Sequence, residues 1–379
     1  MTVKASFKIL LIFFLCLIAG YTTYLASTSI KQQTTSRSTT TPQVALDNEV
    51  EQVIEPSVTE VTIGMIGDIL LHYPIYTYPD FTFAFDAVSE QMQSLDFLLA
   101  NQESMPAGEQ LGLSTYPSFN SPPHIIRDLQ KSGVDFVTIA NNHTLDKGEQ
   151  QVLLTIQNLQ SYNMPYTGAF ASKEDQQKAR IINVEDIAVG ILAYTYGTNT
   201  YVTSHPDGKD YLVSYLDEAK IIADVKALRS QVDFIVLSLH WGEEYNTAHN
   251  EQQQQLAKNL FAAGADAIFG HHPHVLQPFE WIEDKPVFYS LGNFYSAQPW
   301  AGTNVGGIAR LTLRKTVTAN QSTTETVDAH FLPTTVVRDV YNGHVDAPAF
   351  RVMPLQQYGN QMGWDNAYVE QHIGLPTWH

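Results

Sequence analysis

The chain has 379 residues, 44% of them hydrophobic, which is enough apolar material for one large domain or two smaller ones. Its formal net charge is -18, from 21 Lys and Arg against 39 Asp and Glu. Such acidity argues against a nucleic-acid partner, and it disfavours capture of a polyanion unless metal ions or a local basic patch intervene. Cys16 is the single cysteine, so an intrachain disulfide is excluded.

The first residues predict a membrane anchor. Lys4 and Lys8 precede an apolar run over residues 9–19, and weaker apolar character brings the segment close to the roughly 20 residues that a membrane span needs. No cleavage site for a signal peptide follows, because the bulky Tyr24 stands where a small residue is required. We therefore expect an uncleaved, single-pass anchor over residues 1–26 in the cell membrane, with the main domain extracytoplasmic.

Residues 27–57 are predicted to form a disordered extracytoplasmic tether. The stretch is rich in Ser and Thr and contains Pro42 and Pro56. Such a composition cannot bury a hydrophobic core. The tether would hold the folded domain away from the bilayer.

From Val61 onward, short apolar runs alternate with amphipathic segments, which predicts strands alternating with helices. After Val287 the apolar runs follow one another without helices between them. This order predicts an α/β fold, a layered α/β sandwich over residues 58–340, with a C-terminal tail over 341–379 that packs on the domain. The predicted strands are 61–67, 97–100, 134–140, 187–194, 234–239, 267–269, 287–291, 308–313 and 327–332, and the predicted helices are 85–92, 125–133, 149–162, 216–230 and 251–263.

Polar side chains of the kinds that bind metal ions follow almost every strand of the α/β part. Ligands of open α/β sheets bind outside the carboxyl ends of the strands, so we expect these side chains to converge there. Taken singly, each has an ordinary explanation: Asp68 suits a turn, and His240 suits a partly buried histidine. Their repetition at successive strand ends favours a common site. The residues are Asp68, His72, Asn101, Glu103, Asn141, Asn142, His143, Asp146, His240, Glu243, Glu244, His271, His272, His274 and Asn293.

The residue types at these strand ends indicate a divalent transition metal. Imidazole and carboxylate ligands together suit Zn, Mn, Fe or Co. A thiolate zinc site is excluded because the sequence has no cysteine after Cys16. Two ions roughly 3.5–4 Å apart would need a bridging carboxylate and several terminal ligands, and such a pair activates water and stabilises an anionic transition state.

Six short segments, in this order, resemble the motif set of the CapA capsule-synthesis family. The resemblance spans about residues 60–300. It implies a fold similar to the calcineurin-like metallophosphoesterases and two divalent metal ions, with Mn, Zn or Fe as the candidates. It also implies an association with the synthesis, export or surface retention of poly-γ-glutamate in bacteria. The segments are Gly67-Asp68, Asn101-Gln-Glu103, 141–148, 240–245, 270–277 and 290–294.

Carried over residue by residue, the resemblance implies a ligand set and two residues that handle protons. Glu103 stands where this fold has a bridging aspartate, and His72 lies four residues after Asp68 rather than two, so both depart from the family pattern. The implied metal ligands are Asp68, Glu103, Asn142, His240, His272 and His274; the implied catalytic residues are His143 and Glu244; the implied supporting or substrate-contacting residues are His72, Asn101, Asp146, His271 and Asn293.

Three functions are compatible with this sequence. The first is a membrane-anchored accessory protein for capsule biosynthesis, export or retention, whose metal site hydrolyses a γ-glutamyl amide or a phosphoester. The second is a non-catalytic subunit that binds the polymer or assembles the capsule machinery, with metal ions bridging to polymer carboxylates. The third is a cell-surface metallophosphoesterase or nucleotidase, which basic residues near the crevice would favour, although Lys147 is the single one within the motifs. The expected partners are poly-γ-glutamate or a related anionic surface polymer, the membrane, and other capsule-synthesis subunits.

Overall fold

The computed structural model describes residues 56–199, 205–339, 349–359, 361 and 363–378. The predicted anchor over 1–26 lies outside these residues, and so does the predicted tether except for its last two residues. Within the described ranges, no helix is both long enough and apolar enough to cross a membrane. Ser57 begins the first strand, so that strand starts inside the stretch predicted as tether.

The described residues form two β-sheets with helices packed against them. In chain order the strands are β1 (Ser57–Leu70), β2 (Phe97–Gln102), β3 (Phe136–Thr138), β4 (Tyr166–Thr167), β5 (Ile181–Val184), β6 (Ile187–Thr195), β7 (Phe234–His240), β8 (Ala267–His271), β9 (Leu276–Ile282), β10 (Lys285–Leu291), β11 (Asn293–Ser296), β12 (Val305–Val317), β13 (Ser322–Asp339) and β14 (Ala349–Pro354). The α-helices are α1 (Thr82–Phe85), α2 (Ser89–Gln93), α3 (His124–Lys131), α4 (Glu149–Ser161), α5 (Lys173–Gln176), α6 (Glu218–Arg229), α7 (Glu251–Ala263), α8 (Leu355–Tyr358) and α9 (Asn366–Ile373). Single 3₁₀ turns cover Ile75–Thr77, Glu109–Leu111 and Asp210–Leu212.

The two sheets have a similar plan. The first has the strand order β14-β13-β12-β1-β2-β3-β4, and β11 pairs with the end of β1. Strands β1 to β4 run parallel, whereas β12, β13 and β14 continue the sheet antiparallel on the other side of β1. The second sheet has the order β5-β6-β7-β8-β10-β9, and β6, β7, β8 and β10 run parallel. In each sheet the carboxyl ends of the parallel strands therefore lie along one edge.

An apolar core fills the space between the sheets. Ile63 and Phe97 of the first sheet and Val189 and Phe234 of the second belong to one cluster of buried residues. β1 also buries its opposite face, because Ile66 belongs to a second cluster that it shares with helices. Strands buried on both faces read as nearly continuous apolar runs, which is why the first strand is recognisable in the sequence.

Helices cover the other face of each sheet. α3 and α4 pack on the first sheet through Leu129 and Ile156, and α6 and α7 pack on the second through Val225 and Leu260. α7 ends at Gly264, whose φ of 115° lies in the left-handed region that favours glycine. The layers run helix, sheet, sheet, helix, and the predicted layered α/β sandwich is confirmed.

Several predicted elements differ from the observed ones. The helix predicted over 85–92 is wrong, because the chain forms two short helices there, α1 and α2. The first strand does not end at Asp68 but continues to Leu70, with a break in the regular pairing after Asp68.

The sequence did not predict β4, β5, β9, β11, β14, α5, α8 or α9, which are short or irregular. β9 contains Pro278, which weakens the strand signal, and β4 has two residues. In the C-terminal region, β14 pairs with β13, and Val369 and Ile373 of α9 join the cluster between the sheets. Trp378 is buried as well.

Candidate metal centre

Residues from both sheets meet where the parallel strands end. Asp68 lies near the end of β1, and Asn101 lies near the end of β2. His240 and His271 are the last residues of β7 and β8 and are partners in the strand pairing. Asn293 begins β11 and pairs with Asp68. These positions agree with the general rule that ligands of α/β sheets bind outside the carboxyl ends of the strands.

Asp68 is the residue to which most of the others connect. Its Oδ1 accepts a hydrogen bond of 2.8 Å from the Asn101 amide and lies 3.0 Å from Nδ1 of His271. Its Oδ2 accepts a bond of 3.3 Å from the backbone N–H of His272 and lies 3.2 Å from Nδ1 of His274. The side chain is fully buried, so its orientation is fixed by partners from both sheets.

Glu103 and His240 lie on the other side of the centre. Oε1 of Glu103 is 3.6 Å from Nε2 of His240 and 3.8 Å from Nε2 of His274. The same His240 nitrogen is 2.9 Å from Oδ1 of Asn142. One ligand atom from each of Asp68, Glu103 and His240 lies within 4.8 Å of the other two, which is close enough for these residues to hold one metal ion.

The loop after β8 brings further histidines to the centre in an unusual backbone shape. His272 has φ 97° and His274 has φ 59°, both in the left-handed region. Non-glycine residues held there store on the order of 1–3 kcal/mol each, and such strain is concentrated at functional sites. Gly270 is needed before this loop, because a Cβ at that position would lie 2.0 Å from the carbonyl oxygen of Tyr289.

The pKa values of the two buried carboxyl groups are shifted in opposite directions. Burial alone raises the pKa of Asp68, but hydrogen bonds from His271 and His274 outweigh it and hold that pKa well below its usual value. Burial raises the pKa of Glu103 well above its usual value, and the charge of Asp68 adds to the effect although His274 opposes it. Asp68 is therefore the carboxyl group that stays ionised most readily.

The buried imidazoles differ in the direction of their pKa shifts. Burial lowers the pKa of His240 well below its usual value and that of His272 to about 3, so both rings are held neutral. Burial acts on His274 in the same direction, but Glu103 and Asp68 outweigh it and raise its pKa to about 9. Neutral imidazole is the form that binds metal ions.

Several polar atoms of the centre are buried without a hydrogen-bond partner among the described residues. They are both carboxylate oxygens of Glu103, Nδ1 of His240, Nε2 of His271 and Nδ1 of His272. An unpaired buried polar group costs about 1–3 kcal/mol. Carboxylate oxygens combined with imidazole nitrogens are the ligands of Mn, Zn and Fe, so the residues present fit a divalent transition-metal site.

His143 is held beside the centre by a separate set of contacts. Its Nδ1 lies 2.6 Å from Oδ2 of Asp146, and the side-chain amide of Asn199 lies 3.1 Å from the same nitrogen. Asp146 also accepts a 2.8 Å hydrogen bond from the backbone N–H of Phe119, whose ring packs edge-on against His143. These contacts fix the position of the imidazole ring.

A cavity of about 690 Å³ adjoins the centre. Asn142, His143, His272 and His274 line it, and so does the exposed side chain of Glu244. No Lys or Arg is present among the described residues that line this cavity. The lining also includes residues that the sequence did not single out: Tyr116, Phe119, Tyr196 and Asn199.

Asn199 could have been found from the sequence, because it follows the strand that ends at Thr195. Like the predicted site residues, it is a polar residue just after the carboxyl end of a parallel strand. Tyr116 and Phe119 come from a loop whose approach to His72 and His143 has no local sequence signal. These two residues line the cavity only because that loop folds back towards the centre.

The structure brings the predicted metal ligands and supporting residues together in one buried region. His72 contributes from the cavity wall, where its Nδ1 lies 3.1 Å from both the Leu70 carbonyl and Ser296 Oγ, and burial lowers its pKa to about 4. Oδ1 of Asn293 lies 3.0 Å from Nδ1 of His274. Glu244 differs from the rest because it is exposed at the edge of the cavity.

Comparison with known proteins identifies the group to which this chain is related. Residues 62–298 match the family model described as "Bacterial capsule synthesis protein PGA_cap". The chain belongs to this capsule-synthesis family. The resemblance to the CapA family that the motifs indicated is thereby confirmed.

Curated relatives within the family are similar over part of their length. The chain is 29% identical to the capsule biosynthesis protein CapA of Bacillus anthracis over 276 residues, which are 69% of this chain and 66% of that protein. It is 31% identical to the PGA biosynthesis protein CapA of Bacillus subtilis over 206 residues, 54% of this chain and 53% of that protein. The chain thus spans slightly less than two thirds of the first relative and about half of the second.

A solved structure with partial likeness is the sulfate thiohydrolase SoxB of Thermus thermophilus. It is 16% identical with a TM-score of 0.42, and the match covers 77% of this chain and 46% of that one. A score of this size is too low to assign a fold or an activity.

Proposed function

We propose that this chain is an accessory protein of capsule synthesis whose buried centre binds divalent metal ions and hydrolyses a γ-glutamyl amide or a phosphoester. The observation that carries the proposal is the buried set of Asp68, Glu103, His240 and His272, in which atoms of the last three lack hydrogen-bond partners among the described residues. This set adjoins a cavity large enough for part of a polymer or a small substrate. The names of the Bacillus relatives support the link to the capsule.

In this proposal, Asp68, Glu103, Asn142, His240, His272 and His274 hold the metal ions. When bound, divalent ions of this kind polarise the bond to be broken and lower the pKa of the attacking water. The neutral state of His240 and His272 suits them to bind without first losing a proton. Asn101 and Asn293 orient Asp68 and His274 through hydrogen bonds, as supporting residues of metal sites commonly do.

His143 is the proposed proton donor to the leaving group. Asp146 accepts the hydrogen bond from its Nδ1, which fixes the tautomer and directs the other ring nitrogen to the substrate. Phe119 covers one side of the ring and limits the access of water. Glu244, at the edge of the cavity, is placed to exchange protons with solvent as products leave.

The structure gives the nucleotidase alternative little support. Di- and triphosphates are usually bound with the help of Lys or Arg, and the described residues that line the cavity include neither. A non-catalytic role in polymer binding or assembly could use the same metal ligands. Measurement of turnover distinguishes it from hydrolysis.

The proposal includes a membrane anchor over residues 1–26 that places the domain outside the cytoplasm. If the anchor is uncleaved, the protein in the membrane fraction retains Lys4 and Lys8, which N-terminal sequencing would detect. A mature N-terminus near Ser27 would contradict this part of the proposal and would leave the metal site unaffected.

The deciding test is the metal content of the purified full chain. We expect close to two transition-metal ions per chain, and loss of most of them in a His272→Ala, His274→Ala double variant. His330→Ala is the matched control, since His330 lies on β13 and takes no part in the centre. Metal followed by turnover of γ-glutamyl or phosphoester substrates supports the hydrolase. Metal without turnover leaves the binding role, and a well-folded wild-type chain without metal excludes the hydrolase and leaves the polymer-binding or assembly role.

A further inference from the structure

The cavity beside the metal centre continues into a second compartment. The first compartment has a volume of about 690 Å³ and the second about 260 Å³. Tyr196 lines both, so its side chain stands at the border between them. Together they form a cleft that runs from the centre towards the start of α7, where Asn250 and Gln252 line the second compartment. Two compartments of these volumes hold more than the one group that reacts.

Large aromatic side chains stand exposed along this cleft. The exposed fractions are 66% for Tyr116, 58% for Trp300, 50% for Tyr196 and 44% for Tyr245. Large aromatic side chains left exposed around a cavity mark a binding surface more often than a structural feature. They offer flat faces on which a ring-shaped ligand can stack.

Two of these aromatic side chains lie next to histidines of the centre. The ring of Tyr196 lies 4.6 Å from that of His272, and the ring of Tyr245 lies 6.2 Å from that of His274. Trp300 and Tyr116 are close enough to Tyr245 to influence the pKa of its hydroxyl. A group bound at the metal ligands would therefore have aromatic rings close to it.

The charge of the cleft limits how many anionic groups a ligand can have. Neither compartment has Lys or Arg among its described lining residues, and Glu244 and Glu243 contribute negative charge to the first and second. One anionic group can be compensated by metal ions at the centre. Further anionic groups along the cleft would meet carboxylates without a compensating cation. Each residue of a γ-glutamyl chain carries such a carboxylate, whereas a sugar ring is neutral.

Neutral amides complete the lining. Gln298 lines the first compartment, and Asn250 and Gln252 line the second. A side-chain amide both donates and accepts hydrogen bonds, which matches the hydroxyl groups at the edge of a sugar ring. The face of the same ring presents C–H groups that pack on aromatic side chains. Aromatic faces, amides and the lack of cations together match a saccharide.

We propose that the centre takes a phosphoester whose neighbouring group is a neutral pyranose ring, such as a sugar phosphate of a cell-surface glycan, and neither a nucleoside nor a run of γ-glutamyl residues. This inference rests on the metal site of the proposed function and names the substrate class of that site. The phosphate lies at the metal ligands, and the sugar stacks on the aromatic residues of the cleft.

The test compares affinities by calorimetry on the full chain loaded with Mn²⁺. N-acetylglucosamine 1-phosphate is the sugar probe, and glycerol 1-phosphate offers the same phosphate without a ring. A γ-linked glutamate pentamer and uridine monophosphate represent the polyanion and the nucleotide. We expect the sugar phosphate to bind roughly tenfold more tightly than glycerol 1-phosphate, the order expected for one stacking contact. We also expect it to bind more tightly than the other two probes.

Variants assign the preference to the aromatic residues. Trp300→Ala and Tyr196→Ala should each reduce the ratio between sugar phosphate and glycerol 1-phosphate several-fold, and Trp300→Phe should restore most of it. Trp281→Ala is the matched control, because Trp281 is also exposed but lies on the edge strand β9, away from the cleft. Thermal melting of each variant checks that it is folded.

The results separate this inference from the proposed function. A preference for the sugar phosphate without any hydrolysis supports the inference and removes the hydrolase. Equal affinities for the two phosphates, tighter binding of the pentamer or of uridine monophosphate, or a preference that survives in both alanine variants overturns the inference and leaves the hydrolase standing. A chain that binds neither Mn²⁺ nor any probe overturns both.

Discussion

The space between the two sheets contains two regions of opposite chemistry. In its interior, side chains such as Ile63 and Phe234 form an apolar core. At the end where the parallel strands finish, Asp68, Glu103 and four histidines are buried together, and several of their polar atoms lack partners among the described residues. The interior stabilises the pairing of the sheets, whereas the polar end lowers stability in return for a ligand site. Substitutions in the interior should therefore lower the free energy of unfolding and leave metal binding unchanged. Substitutions at the polar end should weaken metal binding without lowering the stability of metal-free protein.

The largest expected effect belongs to the interior. Phe234→Ala removes a fully buried ring between the sheets and should lower the free energy of unfolding by about 3–5 kcal/mol. Chemical denaturation would measure the loss. The metal content of the folded fraction should stay unchanged, and a parallel loss of metal would show that the two regions are not independent.

Metal removal should affect stability through the polar end alone. A ligand that binds the folded state at 100 times its dissociation constant stabilises it by about 2.7 kcal/mol. We expect chelation to lower the melting temperature of the wild-type chain, and re-addition of Mn²⁺ or Zn²⁺ to restore it. The His272→Ala, His274→Ala variant serves as the control, because its melting temperature should not respond to either treatment.

Asn199→Ala should slow turnover without weakening the metal site. The amide lies 3.1 Å from Nδ1 of His143, so its loss releases one of the contacts that fix the proposed proton donor. Removal of a supporting residue of this kind typically costs about tenfold or more. Asn259→Ala on the exposed face of α7 is the control. A change in KM with kcat unaltered would indicate that Asn199 contacts the substrate instead.

The smallest expected effect has the opposite sign from the first. His272→Asn replaces a buried imidazole with an unpaired nitrogen by a smaller residue that tolerates left-handed backbone well. In metal-free protein this should raise the free energy of unfolding by about 1 kcal/mol, because strain and an unpaired group are relieved. Metal affinity should fall at the same time. A loss of stability in metal-free protein would mean that His272 packs as a structural residue.

Much of the site was predictable from the sequence because ligands of α/β sheets bind outside the carboxyl ends of the strands. β1, β7 and β8 are buried on both faces, so their apolar runs are distinct and the polar residues that follow them are easily located. His271 was predicted only as a supporting or substrate-contacting residue, and the structure places its Nδ1 3.0 Å from Oδ1 of Asp68. The role of a side chain inside a cluster depends on rotamers and distances that spacing does not encode.

Other features depended on tertiary contacts and could not be read from the sequence. Phe119 reaches His143 because the loop before α3 folds over the centre, and the loop itself has no periodic pattern. The short strands β4 and β5 exist because longer neighbours offer them pairing partners.

The contacts of Asp68 also bear on the order in which the molecule can assemble. Its partners His271 and His272 lie 203 and 204 residues further along the chain. During synthesis or passage through a membrane, the first strand is therefore available long before the histidines that complete the centre. Contacts of such long range form late in folding. The centre closes only after both sheets have formed, so in the proposed function the metal would enter in the compartment where folding is completed.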